Sequence, residues 1–271
     1  MVRPLLKKEG LDRNATCNYW PISNLNTLSK VLERLALVRI WQHLSTSPNY
    51  KSAQSAYRRN HSTESTLLRT LDAAYKAMDR GQATLLIALD ISTAFDTVVH
   101  STLVQWIHSS YGVDGNILTW IKSYLSERLQ FFKVGSASVP PSKCSCGVPQ
   151  GSVLGQLFFT IYISPVTNVV ESFGVNQQQY AGNTQLYIEL SPNTLEIAVR
   201  KTDDCIAAVQ LWFVQNGVTL NSDKSEAIPS LDCRSRKEPL IAKYHQCCWC
   251  KSLFSWQGEA SRHHTGYQSE P

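Results

Sequence analysis

Hydrophobic residues recur at helical spacing in two segments of the N-terminal half of the chain. The first stripe consists of Leu28, Val31, Leu32 and Leu35, at positions i, i+3, i+4 and i+7. The second stripe consists of Leu67, Leu68, Leu71, Ala74, Tyr75 and Met78. Ser62 is suited to cap the start of the second helix, and Gly81 is suited to end it. The pattern therefore predicts two amphipathic helices, separated by the polar and basic run QSAYRRNHST.

Helical patterns recur further along the chain. Two segments are predicted to be helices from the apolar positions Leu103, Trp106, Ile107, Ile117, Trp120, Ile121 and Tyr124. The run VLGQLFFTIYI is apolar almost all round, which predicts a buried helix. A long amphipathic helix is predicted between Leu195 and Phe213, and Gly217 is suited to end it.

Extended segments lie between these helices without a strict strand–helix–strand repeat. TLLIALD is a short continuous apolar run, which is typical of a strand covered on both faces. QFFKV is predicted to be a strand, and QQQYAGNTQLYIEL to be two strands that meet at a turn. Gly182 and Asn183 tolerate positive φ and are therefore expected at the tip of this turn. The mixture predicts an α+β fold with helices packed on one face of a sheet.

The patterns divide the chain into three regions. Residues 1–27 are predicted to be a loop-like lead-in, because Pro4, Gly10 and Pro21 interrupt them. Residues 28–228 contain the periodic segments and are predicted to form the main domain. Residues 229–271 show no sustained period, so we interpret them as an unrelated and poorly ordered tail.

Composition narrows the class of protein only moderately. Among 271 residues, 43% are hydrophobic and 17% are charged, which is enough to bury a core. The formal net charge of +5 permits a polyanionic partner without requiring one. No apolar run reaches the roughly 18–20 residues that span a bilayer, and the N-terminus lacks a signal-peptide core. We therefore expect an intracellular protein, nuclear or cytoplasmic, without a membrane segment and with its 8 cysteines reduced.

The segment LLIALDISTAFDTV carries the first candidate chemistry. Asp90 closes the apolar strand, and Asp96 follows it in the next turn. A carboxylate at the end of a buried strand needs a partner, because burying it unpaired is costly. Asp90 is either a hydrogen-bonded residue that starts the next turn or a ligand of a hard cation such as Mg²⁺. A two-metal centre for phosphoryl transfer would need further carboxylates from separate strands.

The segment CGVPQGSVLG is the second candidate. Gly147, Gly151 and Gly155 recur at a regular interval in a loop that leads into the predicted buried helix. Such glycines let the backbone approach a ligand closely, and a helix N-terminus attracts phosphate. A tight turn into a helix is the equally simple alternative. The spacing differs from that of a P-loop, and no Lys-Ser or Lys-Thr pair follows.

Six runs of the chain, in their order and spacing, carry a specific resemblance. They are NYWPISNLNTLSKVLERL, QSAYRRNHSTESTLL, LIALDISTAFDTVVH, CGVPQGSVLGQLFFTIYISPV, QYAGNTQLY and WFVQNGVTLNSDKSE, and they cover roughly residues 4–227. The chain resembles the reverse transcriptase domain of non-LTR (LINE-type) retrotransposons, in particular the jockey/CR1-like group. The resemblance implies the palm and fingers of a right-hand polymerase, with an antiparallel palm sheet backed by helices. It ends near Ala227, so we expect a truncated domain whose thumb is missing.

The resemblance also implies roles for individual residues. Asp90 matches the acid that holds catalytic Mg²⁺, and Phe95 matches the aromatic residue that presses on the incoming sugar and excludes a 2′-hydroxyl. Arg58 and Arg59 match fingers residues that face the triphosphate, where cations stabilise the transferred phosphates. Lys224 matches a basic residue considered to donate a proton to pyrophosphate. The other implied nucleotide- or template-binding positions are Pro149, Gln150, Gly151, Ser152 and Tyr180. An RNA template and a DNA primer are the implied partners.

The turn of the predicted hairpin departs from the family pattern. The family has Tyr or Phe followed by Ala-Asp-Asp, whereas this chain has Tyr180, Ala181, Gly182 and Asn183. Asp90 is therefore the single matched metal carboxylate that remains, and Asp96 is expected to hold a turn rather than to replace the lost acids. Removing one charge-stabilising group typically costs about 10² to 10³ in rate. We expect Mg²⁺ not to be bound productively.

Three functions are consistent with this pattern. The chain is a catalytically inactive remnant of a reverse transcriptase, a non-catalytic protein that holds RNA or an RNA–DNA hybrid, or an active RNA-directed DNA polymerase with an unusual metal site. The basic residues that favour a nucleic-acid backbone, or are simply solvated charges, are Arg58, Arg59, Lys122, Arg128 and Lys133. Binding through them would be salt-sensitive and largely independent of sequence.

The predicted tail contains half of a zinc-finger pattern. Cys247 and Cys250 have C-x₂-C spacing, and His263 follows them. A second histidine is expected ~3–5 residues further on, but His264 is adjacent to His263. The cluster is either an accident of a Cys/His-rich segment or an adventitious zinc site.

Overall fold

The structure is a computed structural model that describes residues 1–134, 136–191 and 193–230. The predicted tail beyond Ser230, with its Cys/His cluster, lies outside the described residues. The α-helices are α1 (Thr27–Ser45), α2 (Thr63–Asp79), α3 (His100–Ser109), α4 (Gly115–Leu125), α5 (Val153–Ile163), α6 (Val166–Ser172) and α7 (Leu195–Gln215). The predicted helices are therefore confirmed, including the buried one, whose residues are all buried from Leu157 to Ile163.

The strands are β1 (Val2–Leu6), β2 (Tyr19–Ser23), β3 (Ala83–Ser92), β4 (Leu129–Gln130), β5 (Lys133–Val134), β6 (Ala137–Ser138), β7 (Ser142–Lys143), β8 (Asn176–Tyr180), β9 (Asn183–Leu190), β10 (Thr219–Leu220) and β11 (Glu226–Ser230). The central sheet is antiparallel, with β3 between β9 and the two short strands β10 and β11. β8 pairs with the other side of β9. In the described part of the chain, three two-stranded ladders, β1–β2, β4–β7 and β5–β6, lie outside this sheet.

Helices cover the sheet and enclose one hydrophobic core. α2 packs on β3, β8 and β9, while α7 packs on β9 and β10. α5 lies in the core and packs against α1 and α3. Its largest core side chains, Phe158, Phe159 and Tyr162, are at most 1% exposed. The mixed α+β class predicted from the pattern is confirmed.

The prediction that residues 1–27 form a loop-like lead-in is wrong for Val2–Leu6 and Tyr19–Ser23, which are strands. β1 and β2 form an antiparallel hairpin in which Pro4 pairs with Pro21. Proline lacks a backbone N–H and interrupts most strands, but an isolated two-stranded ladder tolerates it where no donor is needed. The prediction of one strand over QFFKV is also wrong, because β4 ends at Gln130 and β5 begins only at Lys133.

The two N-terminal helices turn their apolar stripes outward. Leu28 in α1 is 76% exposed, and Leu68 in α2 is 65% exposed. The face of α2 that meets the sheet instead contains Thr66, Thr70 and Ala77. The Thr70 hydroxyl donates a hydrogen bond to the Gln185 side chain on β9 (2.9 Å), which satisfies part of this polar interface. The periodicity therefore identified the helices correctly but did not identify their buried faces.

One stretch corrects the expectation that no segment is long and apolar enough to span a bilayer. Val153–Ser172, which includes α5 and α6, passes a test on length and composition with a mean hydropathy of 1.5. Within the fold, 72% of its most apolar window is buried. Core packing accounts for the apolar character of this stretch.

Candidate active site

The β8–β9 hairpin places its turn beside the end of β3. Asp90 on β3 pairs with Asn183 in the antiparallel register, and the backbone N–H of Ile91 donates to the Gly182 carbonyl (3.2 Å). Tyr180 is the last residue of β8 and pairs with Asn183 across the turn. The predicted position of Gly182 and Asn183 next to Asp90 is therefore confirmed, but the tip of the turn consists of Ala181 and Gly182, because Asn183 is already the first residue of β9.

The conformation of this turn differs from the prediction. Ala181 has positive φ (52°), whereas neither Gly182 nor Asn183 is among the described residues with positive φ. In tight hairpin turns the first central residue commonly adopts φ > 0, because this matches the twist of the flanking strands. The turn therefore requires left-handed backbone at an alanine, and the glycine that follows is not needed for this purpose.

Ala181→Gly is expected to stabilise the protein by about 0.5–1 kcal/mol. Glycine avoids the clash between Cβ and the backbone in left-handed conformation, although it also gains freedom in the unfolded chain. Urea denaturation of the two proteins would measure the difference in the free energy of unfolding. Ala88→Gly, within β3 and without positive φ, is the control and is expected to destabilise. An equal decrease in the free energy of unfolding in both variants would contradict the argument that alanine is strained by positive φ at position 181.

Gln54 holds the turn from the other side. It is 1% exposed, and its side-chain oxygen accepts hydrogen bonds from the backbone N–H groups of Ala181 (3.2 Å) and Ala56 (3.0 Å). Its amide nitrogen donates to the Ala181 carbonyl (3.4 Å). The backbone of this segment also pairs with β8, where Gln179 N–H donates to the Ala53 carbonyl (2.7 Å). These contacts keep the hairpin turn in place without help from the missing acids.

The segment after β10 surrounds Asp90 with protein groups. The Asn221 side chain donates to the Asp90 carboxylate (3.2 Å), and the Asn221 backbone N–H donates to the Asp90 carbonyl (2.8 Å). The Lys224 ammonium lies 3.9 Å from the same carboxylate, with the Lys224 side chain mostly exposed and that of Asp90 mostly buried. Asp90 thus has a hydrogen-bond donor and a cation supplied by the chain itself.

The donor set at this site does not fit a pair of divalent metal ions. Asp90 contributes one carboxylate, Asn183 can contribute only a neutral amide oxygen, and Gly182 has no side chain. Among the described residues, no group of three or more His, Cys, Asp or Glu side chains could hold a metal ion. Two closely spaced divalent cations repel each other strongly unless several carboxylates offset their charge.

The loop before α5 is fixed to the N-terminal hairpin. The backbone N–H of Ser23 in β2 donates to the Gln150 carbonyl (2.8 Å). At Gly151, φ is +99°, and a Cβ would lie 3.2 Å from the Ser23 carbonyl oxygen, so glycine is required there. Ser152 caps α5, because its hydroxyl accepts a hydrogen bond from the Gly155 N–H (2.9 Å). Pro149 precedes this capped turn and accepts a hydrogen bond from the Ser152 hydroxyl (2.8 Å).

Phe95 and Asp96 lie where the turn after β3 meets this loop. The Phe95 ring stacks on Phe159 of the core, with ring centroids 5.2 Å apart, and its carbonyl accepts from the Val148 N–H (2.7 Å). Burial raises the pKa of the Asp96 carboxyl. Gly147 packs directly on the Asp96 backbone, where a Cβ would lie 3.2 Å from the Asp96 Cα. The two candidate segments of the sequence are therefore neighbours in the fold, and the sugar-contacting role of Phe95 stays a prediction.

The two predicted fingers arginines differ in their surroundings. The Arg58 guanidinium donates to the carbonyls of Tyr50 (3.1 Å) and Lys51 (2.7 Å) and lies over the Tyr50 ring, 4.3 Å from its centroid. Arg59 is exposed. Arg58 is thus engaged within the fold, whereas Arg59 projects a charge that a ligand can reach. Of the other basic candidates, Lys122 and Lys133 are exposed, and Arg128 lies over the Tyr124 ring.

The sequence alone does not indicate that Gln54 and Asn221 belong to the site. Both lie inside runs that carry the resemblance, QSAYRRNHSTESTLL and WFVQNGVTLNSDKSE. Neither is charged or aromatic, so no local pattern marks them. Their roles depend on contacts across more than 100 residues of sequence, between Gln54 and Ala181 and between Asn221 and Asp90.

The fold of the described residues is similar to that of solved telomerase structures. It is similar to apo telomerase from Candida tropicalis truncated from its C-terminal domain, with a TM-score of 0.56 over 78% of this chain and 42% of that chain. A second similar structure is Candida tropicalis telomerase in complex with a TWJ fragment of telomeric RNA, with a TM-score of 0.55 over 80% of this chain and 35% of that chain. At 16% sequence identity in both cases, these likenesses concern the fold alone.

The sequence profile described as reverse transcriptase (RNA-dependent DNA polymerase) matches residues 6–253. The chain therefore belongs to the reverse transcriptase family. The match continues past Ala227, the point where the resemblance was expected to end. Its last part lies outside the described residues.

The curated relatives are proteins of mobile elements. The chain is 28% identical over 226 residues to the RNA-directed DNA polymerase from mobile element jockey of Drosophila melanogaster. It is 33% identical over 158 residues to the probable RNA-directed DNA polymerase from transposon X-element of the same organism. These alignments cover 81% and 58% of this chain but only 24% and 17% of the relatives' length. The chain is thus a reverse transcriptase domain of the non-LTR retrotransposon type.

Proposed function

We propose that this chain keeps the nucleic-acid-holding surface of a polymerase palm and fingers but does not add nucleotides. The observation that carries the proposal is the hairpin turn, where Gly182 and Asn183 lie beside Asp90 without a second carboxylate. In the proposed assignment, β3 and the β8–β9 hairpin with their backing helices form the palm. The β1–β2 hairpin and the segment from Gln54 to Arg59 belong to the fingers.

The surroundings of Asp90 support the loss of metal-dependent chemistry. Its carboxylate receives a hydrogen bond from Asn221 and lies near the ammonium of Lys224. A single carboxylate with these partners is already balanced by the protein, so it gains less from a divalent cation than a cluster of free acids would. We infer that Mg²⁺ is not bound productively and that any binding of nucleic acid is independent of Mg²⁺.

The proposed ligand is an RNA template paired with a DNA primer. The relatives are named RNA-directed DNA polymerases, and an RNA–DNA hybrid is the product that such an enzyme holds. The net charge of +5 favours a polyanion. Arg59 is exposed, whereas Arg58 donates to the carbonyls of Tyr50 and Lys51, so Arg59 is the arginine of the pair that we expect to contact phosphate.

The test measures binding of a fluorescein-labelled RNA–DNA hybrid by fluorescence anisotropy, with Mg²⁺ and with EDTA, over a series of salt concentrations. We expect salt-dependent binding that does not change with Mg²⁺, and no primer extension when nucleotides are added. Arg59→Ala is expected to reduce the slope of log K against log salt by about 1, because one phosphate contact is lost. Arg200→Ala on α7 removes the same charge from an exposed position outside the matched motif segments and is expected to leave the slope unchanged.

Three results would contradict the proposal. Mg²⁺-dependent extension by the unaltered chain would show an active polymerase with a different metal site. Absence of saturable hybrid binding at low salt would leave only a folded remnant of the enzyme. Equal effects of Arg59→Ala and Arg200→Ala would show that binding depends on net charge rather than on the proposed surface.

A further inference from the structure

A buried carboxylate of α1 lies at the start of α5, outside every role assigned above. Glu33 is 1% exposed. One of its oxygens, Oε2, accepts hydrogen bonds from the backbone N–H groups of Val153 (2.6 Å) and Leu154 (3.1 Å). The other, Oε1, accepts a hydrogen bond from the Tyr124 hydroxyl (3.1 Å). A charged side chain of one helix therefore caps the N-terminus of another that is far away in sequence.

These contacts account for the buried charge. No Lys, Arg or His side chain forms a salt bridge with Glu33 within the described part of the chain. The carboxylate is stabilised instead by three hydrogen bonds and by the positive end of the α5 dipole. Burial, together with the negative charge of Glu33, raises the pKa of Tyr124 to about 12, so the tyrosine hydroxyl stays protonated and remains a donor. The Tyr124 hydroxyl and the N–H groups of Val153 and Leu154 are thus all directed at the carboxylate.

The capped turn leaves no open anion site at the start of α5. Val153 and Leu154 donate to Glu33, and Gly155 donates to the Ser152 hydroxyl. The interpretation in which this helix N-terminus receives a phosphate is therefore not supported by the geometry. The loop that precedes α5 is instead fixed at both ends, by Glu33 at its C-terminal end and by the Ser23 N–H at Gln150.

We propose that Glu33 is the positioning residue for the loop Pro149–Ser152, which it holds against the N-terminal region by capping α5. The inference rests on the proposed function, because the resemblance implies that Pro149, Gln150, Gly151 and Ser152 bind the template or the nucleotide. Glu33 does not touch the ligand. It acts through the first turn of α5, and the consequence is that α1 and the loop move as one unit.

The experiment uses the full chain and three substitutions of Glu33. Glu33→Gln keeps the length and an acceptor oxygen but loses the charge, Glu33→Asp keeps the charge but shortens the reach, and Glu33→Ala loses both. Hydrogen exchange is measured by mass spectrometry on ligand-free protein, comparing peptides from the loop and the start of α5 with peptides from α7. Hybrid affinity is measured in parallel by anisotropy.

We expect Glu33→Ala and Glu33→Asp to raise exchange in the loop and α5 peptides by at least about tenfold relative to the α7 peptides, as loss of a charge-assisted cap predicts. Hybrid binding is expected to weaken by about tenfold in the same two variants, with a smaller change in Glu33→Gln. Tyr124→Phe removes one donor and is expected to give an intermediate increase in exchange.

Three results would overturn the proposal. Exchange that rises equally in the loop and in α7 would show a general loss of stability. Unchanged exchange in Glu33→Ala would show that the cap does not hold the loop. Tighter hybrid binding in Glu33→Gln and Glu33→Ala alike would show that the carboxylate acts only by repelling phosphate. If the unaltered chain does not bind the hybrid, the proposed function fails, but the exchange measurements still decide whether Glu33 positions the loop.

Discussion

Restoring both acids of the hairpin, with Gly182→Asp and Asn183→Asp, is expected to produce Mg²⁺-dependent primer extension on an RNA template. The substitution places two carboxylates next to Asp90, which is the donor set that a pair of divalent ions requires. A Cβ at Gly182 would lie 3.4 Å from the Ala94 Cβ and 3.7 Å from the Ile91 Cβ, which are ordinary contacts. The gain over the unaltered chain should be at least about 10² to 10³ in rate.

The measurement compares the unaltered chain, the double variant and each single variant, alone and fused to a thumb from a related element. Gly182→Asn is the matched control, because it adds a side chain of similar size without charge. Extension only by the fused double variant would show that the hairpin is the defective part of an otherwise competent site. Extension by Gly182→Asn to the same extent would refute the electrostatic explanation. Lack of extension by every protein would show that the defect reaches beyond these two positions.

Phe159→Ala is expected to have the largest effect on stability, a loss of about 3–5 kcal/mol in the free energy of unfolding. Phe159 is 0% exposed, and its ring stacks on Phe95, which links the core to the turn after β3. The cavity left by the ring would have no side chain able to fill it without rearranging α5. Urea denaturation followed by circular dichroism measures the change.

Phe132→Ala is the matched control for this prediction. Phe132 is 39% exposed and belongs to the irregular segment between β4 and β5. Removing the same ring there is expected to lower the free energy of unfolding by less than about 1.5 kcal/mol, because a partly exposed ring buries less apolar surface on folding. Similar losses at the two positions would show that Phe159 is not part of a tightly packed core.

The positions of the helices and of the main strands could be predicted because they depend on local periodicity. α5 has the bounds of the apolar run VLGQLFFTIYI, and β3 contains TLLIALD. The N-terminal hairpin could not be predicted in this way. Its strands contain Pro4 and Pro21, and they are held by backbone pairing that side-chain patterns do not record.

The sequence identified residues of the candidate site only where the residue type itself indicates a chemical role. Asp90 can be recognised in the sequence by its carboxylate, and Gly182-Asn183 can be recognised because they stand where the family pattern has two aspartates. Their position next to Asp90 follows from the antiparallel pairing of β3 and β9. Gln54 and Asn221 did not stand out, because amide side chains are common and their partners are distant in sequence. The residue with positive φ was misassigned, since turn geometry depends on strand register rather than on composition.

The sequence by itself therefore determined the family, the order of the helices and of the main strands, and the loss of two acids at the hairpin. Each of these depends on residue identity and short-range spacing. Only the tertiary structure decided that the stripes of α1 and α2 face outward, that Arg58 is engaged while Arg59 is exposed, and that Glu33 caps α5. These features depend on which distant groups meet when the core closes, and the cost of leaving a buried charge or donor unpaired selects among them.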